Sequence, residues 1–267
     1  MTARHYTSNM MKGGAMIQES LALLREWDPR IPPEDFTQIV IQQNLLGKAT
    51  RARVRDILTR VFFRRFAAPG VPSGKHLRAM ITAGFPDSVI TRLLYFHAAL
   101  ADDLLYDFVV QRLYPLYHSG RYQVDTSDAV QFIEELIASR LIAPPWSDNI
   151  KTKTGRGLLA ALRDFGILEG HAKKRFRPAY LPAPVFLYVA HYLQEQGIVG
   201  YALLHHTHWR LFLVTEQEVE RNFITAHQDG FLGYYVAGGI VRIEWRYRGV
   251  EGIVRALTSP TDRETRG

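Results

Sequence analysis

The spacing of apolar residues along the chain predicts a protein built mainly from helices. One helix is predicted from about Gly14 to Glu26, and another begins at Pro33, because proline suits the first turn of a helix. The clearest pattern follows Thr50, whose hydroxyl can cap a helix N-terminus. Apolar side chains then recur at helical spacing, at Val54, Ile57, Leu58, Val61 and Phe62.

The next part of the chain predicts the centre of a helical bundle. Two helices, over Ser88–Leu100 and Asp103–Tyr114, are apolar on several sides, which is typical of buried helices. The proline- and glycine-rich stretch Ala67–Gly74 is predicted to be a loop, and Gly120–Asp125 a turn. Residues 1–122 are therefore predicted to form an N-terminal helical bundle.

From Thr126 onward the pattern indicates a different module. Its predicted elements are, in order, a helix over Thr126–Ser139, a break at Pro144-Pro145, a helix capped by Thr154 and ended by Gly166, the apolar pair Ile167-Leu168, a charged stretch, and a strand over Phe176–Leu181. This is the order of a winged helix-turn-helix. Residues 123–182 are therefore assigned to such a module, with Lys151–Arg163 as recognition helix and Lys173–Arg177 as wing.

A second winged-helix-like module is predicted over residues 183–267. Its helices are Pro184–Gln196 and Thr215–Gln228. Two alternating runs, Phe231–Val236 and Ile240–Trp245, flank a Gly-Gly pair and predict a β-hairpin. This module is less basic, which favours a role in packing or dimerisation, and a flexible tail is expected to follow it. The predicted fold class is thus mainly α, with short β-hairpins.

The charge of the chain is concentrated in two segments. The net charge is +7, carried by 33 basic and 26 acidic residues. Lys48–Arg65 and Lys151–Arg177 each carry a net charge of +6, which leaves the rest of the chain mildly acidic. Such a charge distribution is expected of a nucleic-acid-binding protein. The alternative interpretation is two solvated faces on unrelated surfaces.

The two basic segments supply the candidate nucleic-acid-binding residues. Arg53, Arg60 and Arg64 would form one exposed stripe on a regular helix, at about 100° per residue. Such a stripe can follow a phosphate backbone or merely solubilise a helix edge. Lys153 and Arg156 can reach base edges, and Thr154 can offer a phosphate its hydroxyl and N–H. The full candidate set is Arg51, Arg53, Arg60, Arg64, Lys151, Lys153, Thr154, Arg156, Lys173, Lys174 and Arg175.

Composition excludes several classes of chemistry and of location. The chain has no cysteine, which rules out disulfides, thiol nucleophiles and cysteine-based metal sites. It has no run of about 18 apolar residues, the length that spans a bilayer. The first residues lack the apolar region of a signal peptide. A cytoplasmic protein is therefore expected.

Motifs that could support catalysis are weak. Gly70–His76 is one residue short of a phosphate-binding loop and ends in histidine instead of serine or threonine. Asp103 and Asp107 share a helix face and could hold a divalent metal, or could instead pair with Arg92 or Arg112. No motif completes either site.

The remaining histidines and aromatic residues favour structural roles. His205, His206 and His208 lack the other residues of a zinc motif, so structural histidines are favoured over a metal site. No signature of an activated nucleophile is present. We therefore expect no enzymatic activity, no cofactor and no metal. Four aromatic residues are expected in the core rather than in base-stacking platforms: Tyr95, Phe96, Tyr114 and Tyr122.

Several short fragments, spread in order over residues 6 to about 245, form a recognisable set. They are Tyr6-Thr7-Ser8, Gly13-Gly14-Ala15, Glu19-Ser20, Asn44-Leu45-Leu46, Thr50-Arg51-Ala52-Arg53, Thr154, Leu158-Leu159, Leu162, Phe165-Gly166-Ile167-Leu168 and His208-Trp209-Arg210-Leu211-Phe212. Together these fragments resemble the BrxA family, accessory proteins of BREX bacteriophage-defence systems. The resemblance implies a NusB-like N-terminal bundle, winged-helix-like parts, and DNA binding without known catalysis.

The residues and the resemblance lead to one hypothesis. The chain is predicted to be a non-enzymatic accessory protein that binds double-stranded DNA largely through its phosphate backbone. Other BREX proteins are its expected protein partners. Two alternatives remain open: an RNA-binding protein, and a scaffold whose basic faces dock onto an acidic partner of the defence complex.

Overall fold

The structure is a computed structural model, and it describes residues 4–68, 73–171 and 173–259. The prediction of a mainly α fold with short β-hairpins is confirmed. The helices are α1 Met10–Gly13, α2 Ile17–Glu26, α3 Pro33–Gln42, α4 Arg51–Ile57, α5 Phe63–Phe66, α6 Ser73–Thr82, α7 Asp87–Leu100, α8 Asp103–Asp107, α9 Tyr114–His118, α10 Thr126–Ala138, α11 Asp148–Asp164, α12 Ala183–Glu195, α13 Tyr201–Leu204, α14 Glu216–Gln228 and α15 Gly249–Thr258.

Two long helices contain a π-helical turn, and one connection is a 3-10 helix. The π turns are Leu58–Phe62, which joins α4 to α5, and Phe108–Leu113, which joins α8 to α9. The 3-10 helix is Thr207–Phe212. Among the described residues, no helix is both long and apolar enough to cross a bilayer.

Helix starts follow local capping chemistry. As predicted, the Thr50 hydroxyl accepts a hydrogen bond from the Arg53 backbone N–H, at 3.2 Å. Thr215 begins α14 with a full capping box. The predicted cap at Thr154 is wrong, because α11 already begins after Ser147, whose hydroxyl faces the Ile150 N–H at 3.5 Å. Thr154 therefore lies inside the helix.

Four helices, including the short α13, lie where the sequence pattern did not predict them. Helix α6 begins at Ser73, inside the predicted loop Ala67–Gly74, and the Ser73 hydroxyl donates to the Arg65 carbonyl at 3.2 Å. The loop was predicted from its prolines and glycines. Gly74 nevertheless suits this helix, because a side chain at this position would collide with the Trp27 ring: a Cβ would lie 2.5 Å from it. Helices α1 and α15 were likewise not predicted. The near-phosphate loop Gly70–His76 lies partly outside the described residues.

The strands form two small antiparallel sheets. Strands β1 (Gln123–Val124), β2 (Leu168–Glu169) and β3 (Lys174–Phe176) form one sheet in the order β1-β3-β2. The predicted strand Phe176–Leu181 is displaced, because Pro178 has no N–H with which to continue the ladder.

The second sheet is the predicted hairpin. Its strands β4 (Leu232–Ala237) and β5 (Ile240–Trp245) pair over six residues each. Gly238 and Gly239 join them with φ values of 56° and 79°. A two-residue turn of this hand needs positive φ at both positions, which glycine adopts without strain.

The chain divides into two compact units. One consists of Met1–Arg78 and Thr91–Pro178, and the other of Ala79–Ile90 and Ala179–Gly267. In the first unit, helices α1 and α10 both contact α11. The predicted three-part division at residues 122 and 182 stays a prediction.

Each unit has its own aromatic cluster. In the first, the rings of Trp27, Phe36 and Phe66 all lie within 6.0 Å of the Phe62 ring, measured between ring centres. In the second, the Phe186 ring stacks on Trp209 at 5.4 Å and meets Phe223 edge-on at 4.8 Å. The first cluster packs the helix that carries Arg53, Arg60 and Arg64 against its neighbours.

Candidate nucleic-acid interface

Helix α11 presents a basic face to solvent. Its apolar face, formed by Leu158, Leu159 and Leu162, is buried against the rest of its unit, which includes α10. Lys153 and Arg156 are three residues apart and lie on the exposed face. Within the described chain, neither side chain has a hydrogen bond or an ion pair. Both cations are therefore available to a ligand.

Two other candidates on this helix are differently placed. The Lys151 ammonium lies 2.8 Å from Asp148 and 2.6 Å from Glu134, and these carboxylates raise its pKa. Its charge is thus already balanced. Thr154 is fully buried, and its hydroxyl has no hydrogen-bond partner in the part of the chain that the structure describes. Thr154 also lies beyond the first turn of α11. Only the backbone N–H groups of the first turn lack a partner within the helix.

The hairpin between β2 and β3 alternates its basic residues between two faces. Lys173 and Arg175 are exposed, whereas Lys174 and Phe176 are buried, as expected for successive residues of a strand. The Lys174 ammonium donates to the carbonyl of His171. Burial lowers the pKa of Lys174. Of the three wing candidates, two therefore face solvent.

An exposed aromatic ring lies beside this hairpin. The Arg175 guanidinium lies over the ring of Tyr122, with its carbon 5.3 Å from the ring centre. Tyr122 is 59% exposed, so its expected place in the core is wrong. Tyr95 and Phe96, in contrast, are buried as expected. Tyr122 immediately precedes the short strand β1, whose first residue, Gln123, is also exposed.

The predicted arginine stripe lies on a helix that is interrupted by a π turn. The stripe was derived from a uniform rotation per residue, but Leu58–Phe62 closes hydrogen bonds to the fifth residue instead of the fourth. The extra residue rotates everything after it around the helix axis. Arg53, Arg60 and Arg64 nevertheless line one cleft.

Most of these arginines already have partners within the protein. Asp56 accepts from both Arg53, at 3.1 Å, and Arg60, at 2.5 Å. The Arg64 guanidinium donates to the Ala101 carbonyl at 2.9 Å. Arg51 is exposed and has no partner among the described residues. The stripe is thus a set of anchored side chains along a cleft instead of a free basic edge.

The carboxylates Asp103 and Asp107 hold the N-terminal segment. Arg4 donates to Asp103 at 2.7 Å and to Asp107 at 3.0 Å, and the Tyr6 hydroxyl donates to Asp107 at 2.7 Å. Burial and the bond to Asp107 raise the pKa of Tyr6 well above its usual value. Arg4 therefore occupies the position that the sequence analysis assigned to a metal or to another arginine.

The histidines near residue 206 have separate surroundings. His205 lies 2.8 Å from Glu216, and burial lowers the pKa of His206. Within the described ranges, no group of three or more histidine, aspartate or glutamate residues is placed to hold a metal ion.

Two residues of these surfaces were missed by the sequence analysis. Arg65 was counted in a basic segment but was not among the candidates. No pattern in the sequence predicts the π turn that precedes Arg65. Tyr122 had a signal, because it stands in the predicted turn Gly120–Asp125, where side chains are usually exposed.

Comparison with known proteins gives one family match and one similar solved structure. The family model BrxA matches residues 4–196. A crystal structure of an uncharacterized protein from Magnetospirillum magneticum is similar, with a TM-score of 0.59 and 15% sequence identity. The match covers 78% of this chain and 97% of that one. No curated protein matches the chain. At this identity, the solved structure supports the fold alone.

Proposed function

The chain belongs to the BrxA family of BREX-associated proteins, and from this premise we propose that it is a non-enzymatic DNA-binding protein of the defence system. The proposal includes double-stranded DNA as ligand, other BREX proteins as partners, and the cytoplasm as location. It rests on the unpaired basic residues of one face, which a phosphate backbone would neutralise.

The observation that carries the proposal is the pairing of a free basic helix face with a basic hairpin. Helices α10 and α11 lie in the chain between β1 and the hairpin β2-β3, and the three strands form one sheet in the order β1-β3-β2. Winged helix-turn-helix domains have this element order, and they place the second helix in the major groove. Lys153 and Arg156 would then face the groove, and Lys173 and Arg175 the adjacent backbone.

Binding would rely mainly on phosphate contacts. Four basic side chains that neutralise phosphates release condensed counterions, so affinity should fall steeply as salt rises. Sequence preference should be slight, since only Lys153 and Arg156 would face the groove and its base edges. Lys151, Thr154 and Lys174 are left out of this footprint, because the first is paired and the other two are buried.

The test is a salt titration of duplex binding with two charge-matched double variants. Wild-type affinity is measured by fluorescence anisotropy across about 50–300 mM salt. Reversing Lys153→Glu and Arg156→Glu should lower affinity at least tenfold and reduce the salt slope by about two. The control reverses Arg242→Glu and Arg255→Glu, which are exposed arginines of the other unit, so the net charge is identical. Equal losses in both variants would contradict the proposed footprint.

Single-stranded RNA is the second candidate ligand, and the exposed Tyr122 ring favours it. Proteins that bind single strands stack bases on aromatic rings beside positive charges, and Tyr122 lies beneath Arg175. Competition between an RNA single strand and a DNA duplex separates the two candidates. If RNA displaces the duplex at lower concentration than unlabelled duplex does, RNA becomes the favoured ligand.

A further inference from the structure

The outer edge of the hairpin strand β5 is open. Helix α14 packs against β4, whereas β5 makes an extended contact with β4 alone among the described elements. The Tyr234 N–H donates to His227 of α14, so the main-chain groups of Tyr234 and of Ile243, its partner on β5, point away from the ladder. Alternate residues of a strand behave alike, so the main-chain groups of Val241 and Trp245 point outward as well. Within the described ranges, these three residues of β5 have no main-chain hydrogen bond across this edge.

Exposed apolar side chains border this edge. Ile240, the first residue of β5, is 71% exposed. Gly200 lies beside the strand, because a Cβ there would be 3.2 Å from the Val241 carbonyl oxygen. Its neighbours Val199 and Tyr201 are exposed as well. A group of exposed apolar residues on a folded protein often marks an interaction surface.

The residues of β5 are self-complementary about Ile243. Arg242 and Glu244 flank it on the exposed face of the strand, and their side chains pair with each other at 2.5 Å. If two copies of β5 pair antiparallel around a two-fold axis at Ile243, Arg242 of each copy lies opposite Glu244 of the other. Val241 then lies opposite Trp245, so apolar side chains meet on the other face. Opposite charges directly across from each other stabilise a strand pair.

The neighbouring registers of the same pairing are opposed by charge. Main-chain hydrogen bonding across this edge places the nearest alternative two-fold axes at Arg242 or at Glu244. The first axis would place Arg242 opposite itself, and the second would place Glu244 opposite itself. Like charges directly across from each other destabilise a strand pair. The charges of β5 therefore favour the axis at Ile243 over both alternatives.

We propose that two copies of this chain dimerise through β5, whose edges pair antiparallel around Ile243 to join the two hairpins into one four-stranded sheet. An unpaired strand edge presents main-chain donors and acceptors that another strand can satisfy. A second copy is the partner that fits, because it supplies a glutamate opposite each arginine of the edge. The paired segment is short, so we expect a weak dimer with a dissociation constant in the micromolar range. The surface does not depend on the DNA footprint proposed above.

Sedimentation velocity of the full chain without nucleic acid tests the proposal. Across about 1–200 μM protein, the expected result is a shift from monomer to dimer. Arg242→Glu should weaken dimerisation about tenfold or more, because glutamates then face each other across the two strands. Glu244→Arg should do the same with arginines. The control is Arg255→Glu at an exposed arginine of α15, which changes the charge as Arg242→Glu does and should leave dimerisation unchanged.

Mixing the two reversed proteins gives the most specific result. The edge of Arg242→Glu carries two negative charges and that of Glu244→Arg two positive charges, so each protein alone should be mainly monomeric. The mixture should form a heterodimer with an affinity close to that of the wild type, because every charge then faces its opposite. The double variant that combines both changes should dimerise with itself for the same reason. Damage to the fold cannot restore association, so these results report on the charge pairing itself.

Three outcomes would overturn the proposal. The first is a wild-type chain that stays monomeric at about 200 μM, well above the expected dissociation constant. The second is a dimer of the same affinity in Arg242→Glu, because such a dimer would use another surface. The third is a mixture of the two reversed proteins that stays monomeric. No nucleic acid is present in these measurements, so they succeed or fail independently of the DNA-binding proposal.

Discussion

The guanidinium of Arg175 lies over the ring of Tyr122 at the surface of the small three-stranded sheet, 5.3 Å from the ring centre. Pairing of β1 with β3 sets this distance, since Gln123, the next residue after Tyr122, is opposite Arg175. The ring limits the positions that a long, flexible arginine can adopt. It also offers an aromatic surface next to a positive charge, which suits the binding of an unstacked base.

Replacing Tyr122→Leu should distinguish these two roles of the ring. Base stacking contributes about 1–3 kcal/mol, so affinity for a single strand should fall about fivefold to a hundredfold. An exposed cation–π contact contributes about 0.5–1 kcal/mol, so duplex affinity should fall only about two- to fivefold. Anisotropy with a single-stranded and a duplex probe measures both. Equal, small losses would mean that the ring only supports Arg175.

The contacts of Arg4 and Tyr6 with Asp107, which hold the N-terminal segment, should contribute to the stability of the fold. The Asp107 carboxylate is buried, with a side chain only 3% exposed, and it accepts hydrogen bonds from Arg4 and Tyr6. Asp107→Asn should lower the free energy of unfolding by about 1–3 kcal/mol, because both donors lose a charged acceptor. Urea denaturation measures the change.

Two controls accompany that measurement. Asp103→Asn removes a more exposed partner of Arg4 and should cost less, about 1 kcal/mol or below. Added Mg²⁺ should not raise the melting temperature of the wild-type protein, because the Arg4 guanidinium already pairs with both carboxylates and lies where the metal would bind. A clear rise with Mg²⁺, abolished by Asp107→Asn, would instead restore the metal-site interpretation.

The sequence predicted what depends on short-range pattern. The cap at Thr50, the hairpin around Gly238-Gly239 and the order of elements from α10 to β3 follow from capping chemistry, turn chemistry and periodicity. Each of these signals lies within a few residues of the feature that it predicts. The basic face of α11 could be predicted for the same reason.

What the sequence did not predict depends on contacts between distant segments. Arg4 pairs with residues about a hundred positions away, and nothing near it in sequence indicates that partner. Gly74 was assigned to a loop by its residue type, although its small size is what lets α6 approach Trp27. The burial of Lys174 follows from the register of a strand only three residues long.

Two buried histidines should make the protein less stable in mild acid. Burial, together with His76, lowers the pKa of His97 to about 3, and burial lowers that of His191 to about 4. Both titrate near pH 6.5 when unfolded. Below that pH the unfolded chain binds protons that the native protein does not, so stability falls as pH falls. The loss between pH 7.5 and 5.5 should be about 1.4 kcal/mol for each histidine.

Urea denaturation of His97→Leu at both pH values tests this prediction. Carboxylates also respond to acid, but they do so equally in every variant, so the comparison isolates the histidine. The loss of stability between the two pH values should shrink by about 1.4 kcal/mol in His97→Leu. It should be unchanged in His5→Gln, because His5 is exposed. An identical acid loss in both variants would show that His97 is not held neutral.

The contact between α1 and α11 should reverse the usual effect of replacing a helical glycine. Alanine normally stabilises a helix interior by up to about 1 kcal/mol relative to glycine. A Cβ at Gly157 would lie only 2.6 Å from the backbone oxygen of Met10, so α1 would have to move away. We therefore expect Gly157→Ala to lower the free energy of unfolding by about 1–3 kcal/mol.

The matched control is Gly252→Ala in α15. The nearest atom to a Cβ there is at 3.4 Å, so a small gain in the free energy of unfolding is expected. Thermal and urea denaturation give the sign of the stability change in each variant directly. A gain in stability in both variants would mean that α1 does not pack against Gly157.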